Sequence, residues 1–96
     1  MWVTIEVSAE DIESGKRQSQ CECPVVLAGN RVLLNMRVGK DAFSVGDPLE
    51  GDMAGRTYYD LPVRAREFIY WFDLVLYSSP LAPFSFKVNV GKEFVL

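Results

Sequence analysis

Two segments, one near each end of the sequence, alternate strictly and constrain the fold more than any other feature. Val3, Ile5 and Val7 share one face of the segment Trp2 to Val7, while Phe84, Phe86, Val88 and Val90 alternate with Ser85, Lys87, Asn89 and Gly91. A period of two puts each apolar set on one side of a strand, so both segments need a covering layer on one face only. Making the two strands neighbours ties both ends of the sequence into a sheet and counters fraying.

The covering layer comes from helices. Ser8 followed by Asp11 reads as a capping box that opens a short helix to about Ser14, stopped by Gly15. Pro24 suits the first turn of a second helix carrying Val25, Val26, Leu27 and Ala28, which we expect to run through Gly29-Asn30 to Leu33 despite the cost of glycine. From Pro62 the spacing of Ala65, Phe68, Ile69, Phe72 and Leu76 predicts a third helix, to about Tyr77. Met36 and Val38, then Phe43 and Val45, predict a hairpin across Gly39-Lys40. A loop over Gly46 to Gly55 and a short strand over Arg56 to Asp60 complete the pattern. Together these give an α+β domain spanning residues 1–96. It is expected to be a two-layer sandwich with two or three helices on a four- to five-stranded, mostly antiparallel sheet.

Chemistry is restricted by what the sequence lacks. There is no histidine among the 96 residues, which removes the commonest general base and metal ligand near neutral pH. Phosphate loops, dinucleotide glycine patterns and nucleophile elbows are also absent from the sequence, so we expect no enzyme and no cofactor. Ten Lys and Arg against thirteen Asp and Glu give a net charge of −3, too little basic excess for a nucleic-acid partner. The apolar run from Leu74 to Phe86 is broken by Ser78, Ser79, Pro80 and Pro83, so no membrane span is expected. The start, Met1 to Val7, shows neither the basic residues nor the apolar core of a secretion signal, and a cytoplasmic setting is expected.

Cys21 and Cys23 are too close for an unstrained disulfide and stand at the start of a predicted helix, where a thiolate is favoured. Ordinary packing, a redox-sensitive pair, and a zinc site pooled across a dimer are the readings they permit. Asp47, Glu50 and Asp52 lack the spacing of a calcium loop and read as a solvated loop.

A surplus of apolar surface is more informative. Beside the stripe assigned to the core, the third helix carries Tyr70, Trp71, Leu74 and Tyr77, with Arg64 and Arg66 flanking them. A helix in a two-layer domain buries one face, so this second face is covered by the segment Ser78 to Pro83, by another copy, or by a partner. Trp and Tyr are enriched where proteins bind one another. The expected partner-binding set is Tyr70, Trp71, Leu74, Tyr77 and Arg66, engaging a host protein or a second copy of the chain.

Several short pieces occur in order: Glu10-Asp11-Ile12 with Gly15, Cys23-Pro24-Val25-Val26-Leu27-Ala28, Leu61-Pro62 with Phe68-Ile69 and Phe72-Asp73, and Pro83-Phe84-Ser85-Phe86. In these the chain resembles a family of small phage and bacterial proteins with no assigned activity. The sequence departs from that pattern at Gly29-Asn30 and in the apolar stretch Leu74 to Leu81. The resemblance implies a phage or prophage origin and a small protein that binds and blocks a host protein in the host cytoplasm.

Overall fold

The computed structural model describes residues 1–46, 56–74 and 81–96. Residues 47–55 of the sequence-predicted loop, the helical positions Leu76 and Tyr77, and half of the segment from Ser78 to Pro83 lie outside them.

Strands β1 (Trp2–Val7) and β5 (Phe84–Asn89) pair antiparallel along their full length, with Val3 opposite Val88 and Ile5 opposite Phe86. The two terminal strands are therefore neighbours, as expected. Their inward side chains Val3, Ile5, Val7, Phe86 and Val88 are buried, while Thr4, Glu6, Ser85 and Lys87 face solvent. A second sheet holds β2 (Arg37–Val38), β3 (Ala42–Val45) and β4 (Thr57–Asp60) in that order, all antiparallel. The hairpin across Gly39-Lys40 is present, closed by the Gly39 N–H donating to the Ala42 carbonyl at 2.8 Å.

The α+β class is as expected, but among the described residues the strands form two small sheets, of two and three strands, instead of one larger sheet. The outer edge of β1 shows one reason. The Glu6 carbonyl accepts a hydrogen bond at 3.0 Å from the Arg31 guanidinium, so a side chain occupies a position where a third strand would pair.

Helix α1 (Ala9–Ser14) begins with the full capping box. Ser8 Oγ accepts from the Asp11 N–H, and Asp11 Oδ2 accepts from the Ser8 N–H. The same carboxylate is buried and takes both terminal nitrogens of Arg31, at 2.8 and 2.6 Å. Hydrogen bonds from Arg31, reinforced by those from Ser8, hold the Asp11 carboxyl down to about 2 against the burial that would raise it.

Helix α2 (Pro24–Gly29) has Pro24 in its first turn and buries Pro24, Val25, Val26, Ala28 and Gly29. It ends at Gly29, short of the expected Leu33. Gly29 is where Met36 packs, since a Cβ there would lie 2.0 Å from the Met36 sulfur. Asn30 then binds the Met36 backbone at both ends, accepting its N–H at 2.6 Å and donating to its carbonyl at 3.5 Å. The chain returns through Asn35 in the left-handed region, φ 50°. A helix continued to Leu33 would lose this fold-back. After β5, a 3₁₀ turn (Lys92–Phe94) and a bridge between Leu33 and Val95, neither anticipated from sequence, close the end of the chain onto this same turn.

Arg56 is an unexpected buried cation. Its guanidinium donates to Ser44 Oγ and to the carbonyls of Ser44, Gly46 and Asn35, tying β3 to the turn before β2. Burial pushes its pKa down, yet an arginine keeps its proton at any ordinary pH. The four acceptors replace the water that burial removes.

Helix α3 (Val63–Asp73) buries Ala65, Phe68, Ile69 and Phe72, the expected stripe. Phe68 packs on Phe84 of β5 with ring centroids 4.6 Å apart, which sets α3 over β5.

Replacing Gly29 by alanine raises helix propensity by about 1 kcal/mol but drives a methyl group into Met36, and overpacking of this kind costs about 1–3 kcal/mol. Chemical denaturation of the Gly29→Ala variant is expected to show a net loss of stability, and the cost of that substitution is expected to shrink when it is made in a Met36→Ala background, where the methyl group meets no sulfur.

Candidate functional site

The outer side of α3 forms one wall of a groove of about 710 Å³. Val63, Arg66, Glu67 and Tyr70 line it from the helix, at spacings that place all four on one face, and Leu74 continues the lining just past the helix end. The opposite wall is the β2–β3 turn, Val38 to Asp41, and the loop Gln18 to Gln20 closes one end. Buried Ile69 and Val38 supply its floor.

Both ends of the groove are fixed by hydrogen bonds between its walls. At the start of α3 the Leu61 N–H donates to the Asp41 carbonyl at 2.9 Å. At its far end Arg17 Nε donates to the Phe72 carbonyl at 3.0 Å, and the Gln18 N–H donates to the Asp73 carboxylate at 2.8 Å. Arg17 also lies over the Phe72 ring, 5.4 Å from its centroid, bringing positive charge to the negative end of the helix. The Val38 N–H then donates to Gln20, linking this loop back to β2. These bonds finish α3 at Asp73, with Leu74 extended (ψ 104°), before the expected end at Tyr77.

The site residues read from sequence separate into three groups. Arg66, Tyr70 and Leu74 line the groove, with Tyr70 59% and Leu74 37% exposed. Trp71, 44% exposed, stands beside it with its ring edge-on to Tyr70, centroids 5.2 Å apart. Tyr77 lies outside the described residues. Arg64 does not flank the groove, because its guanidinium sits over Phe84 at 5.4 Å. Val63, Glu67 and the turn Gly39 to Asp41 were missed. A second helical stripe at intervals of three and four, through Val63, Arg66, Glu67, Tyr70 and Leu74, was the signal in the sequence that identifies the helical part.

The lining pairs an apolar floor with a charged rim. Lys40 and Arg66 stand against Asp41, Glu67 and Asp73, and the last is already engaged by Gln18. Such a surface suits non-covalent docking of a partly apolar element and gives no strong sign of charge for a nucleic acid. Among the described residues, no three His, Cys, Asp or Glu side chains gather as a metal site, and no helix is long and apolar enough to cross a membrane.

The cysteines lie in different surroundings. Cys21 is exposed in the turn before α2, whereas Cys23 is 2% exposed at the cap of that helix. Burial pushes the Cys23 thiol up, and this outweighs the opposing pull of the Val26 and Val25 amides. A thiol held protonated is a poor nucleophile and a poor metal ligand.

No protein-family model, curated protein or solved structure matches the chain.

Titration of the native protein with a chromogenic disulfide reagent is expected to modify Cys21 rapidly and to leave Cys23 unmodified until denaturant is added. Equal native rates at both positions would contradict the burial of Cys23.

Proposed function

We propose that this domain is a non-enzymatic protein-binding module whose docking surface is the groove along α3. The observation that supports it is an apolar groove whose walls are joined at both ends by Leu61–Asp41 and Gln18–Asp73 while Val63 and Tyr70 stay more than half exposed. Groove walls held in place lose little conformational entropy on binding, which favours affinity. Tyr70 is the natural anchor, being large, rigid and amphipathic.

The partner we infer is a protein presenting an amphipathic helix. Helix-in-groove recognition uses anchors at intervals of three, four and seven, the same spacing that α3 offers from its side of the groove. The phage origin and the host protein implied by the sequence resemblance belong to this proposal and rest on that resemblance. The alternative of a redox or metal-linked pair at Cys21 and Cys23 is less favoured because Cys23 is buried and held protonated.

Photo-crosslinking tests the reading in cells. A crosslinkable phenylalanine analogue at position 70 is expected to give discrete protein adducts, and the same group at Lys87, on the solvent face of β5, is expected to give none. Adducts from position 87 alone, or from neither position, would overturn it.

A further inference from the structure

We propose that the groove's occupant is helix α3 of a second copy of this chain, so that two copies associate about a two-fold axis with their α3 helices antiparallel. The proposal rests on the groove being a helix-docking site and adds the identity of the helix.

The order of charges along α3 selects this occupant. The exposed positions of α3 that line the groove run Val63, Arg66, Glu67, Tyr70, which is apolar, positive, negative, apolar at i, i+3, i+4 and i+7. In a two-fold interface, where residue i meets residue j, residue j also meets residue i. An axis passing between Arg66 and Glu67 therefore sets Arg66 against Glu67 of the second copy, and Val63 against its Tyr70. Each unlike charge pair and each apolar pair is made twice. A parallel pair would instead face Arg66 with Arg66 and Glu67 with Glu67, which like-charge repulsion opposes. The stripe is thus complementary to itself in one orientation only.

Three further observations agree. Among the described residues neither Arg66 nor Glu67 has an ion pair, so both charges are available to a second chain. Leu74 continues the apolar surface beyond Tyr70. The opposite wall, Lys40-Asp41, carries both signs, so the groove as a whole selects neither an acidic nor a basic ligand. The contact area offered by an 11-residue helix is small, and a weak, concentration-dependent dimer follows.

Sedimentation equilibrium of the full chain tests this through charge reversal. The wild type is expected to move from the mass of one chain toward two between micromolar and millimolar concentration, and less so at high salt. Arg66→Glu and Glu67→Arg each create like-charge contacts twice over and should weaken association by about tenfold or more. The double variant Arg66→Glu/Glu67→Arg restores every unlike pair and should return association to near the wild-type level, a rescue that simple damage to the fold cannot produce. A wild type that stays at one chain's mass throughout, or a double variant no better than the single ones, would overturn the proposal. A monomer that still crosslinks from position 70 to a different protein excludes the second copy and leaves the docking reading standing. A monomer with no adduct from position 70 ends both.

Discussion

The structure depends on how the buried helix α2 ends. Five of its six residues are buried, so its last turn lies in the core, where a free backbone group would be costly. Gly29, Asn30 and Arg31 resolve this in succession. Gly29 leaves room for the Met36 side chain, Asn30 takes the Met36 backbone, and Arg31 reaches to the Asp11 carboxylate and the Glu6 carbonyl. Three consecutive residues thereby join α2 to the turn before β2, to the cap of α1 and to the edge of β1. The same turn receives Val95 near the end of the chain.

From this junction the position of the groove follows. Fixing Met36 sets where β2 begins, and β2 with β3 places the turn Gly39 to Asp41 opposite α3. Arg56 holds the other end of β3, using backbone carbonyls in place of a carboxylate among the described residues. Helix α3 packs on β5 through Phe68 and Phe84 and is stopped by Arg17 and Gln18. Its inner face is spent on the core, and its outer face remains beside the turn with Val63 and Tyr70 in solvent. The proposed docking surface is what remains of α3 once the core is complete.

Much of this was legible because it is local. Alternation placed β1 and β5, the Ser8–Asp11 spacing placed the α1 cap, and intervals of three and four placed the buried stripe of α3. The errors share one cause, which is that long-range contacts decided them. Gly29-Asn30 reads as a weak spot inside a helix until Met36, seven residues on, is seen to need it. The end of α3 is set by residues 55 positions away in sequence, and nothing within the helix announces them. Of the groove's lining, Tyr70 and Leu74 were legible because excess apolar character is visible on a helix, and Arg66 because it flanks them. Lys40 and Asp41 were not, because a turn becomes a wall only when its neighbour is known. Arg56 looked like an ordinary strand residue, since no pattern of sequence marks an arginine that will be satisfied by carbonyls.

The central claim is the proposal that the α3 groove docks helix α3 of a second copy of this chain. Backbone amide NMR spectra recorded across a concentration series test it most directly, since they report every region at once without altering the protein. The account requires shifts and broadening that grow with concentration and map to residues 63–74, with smaller effects at 18–20 and 38–41. Spectra that do not change, or changes centred on the solvent face of β1 and β5, would contradict it.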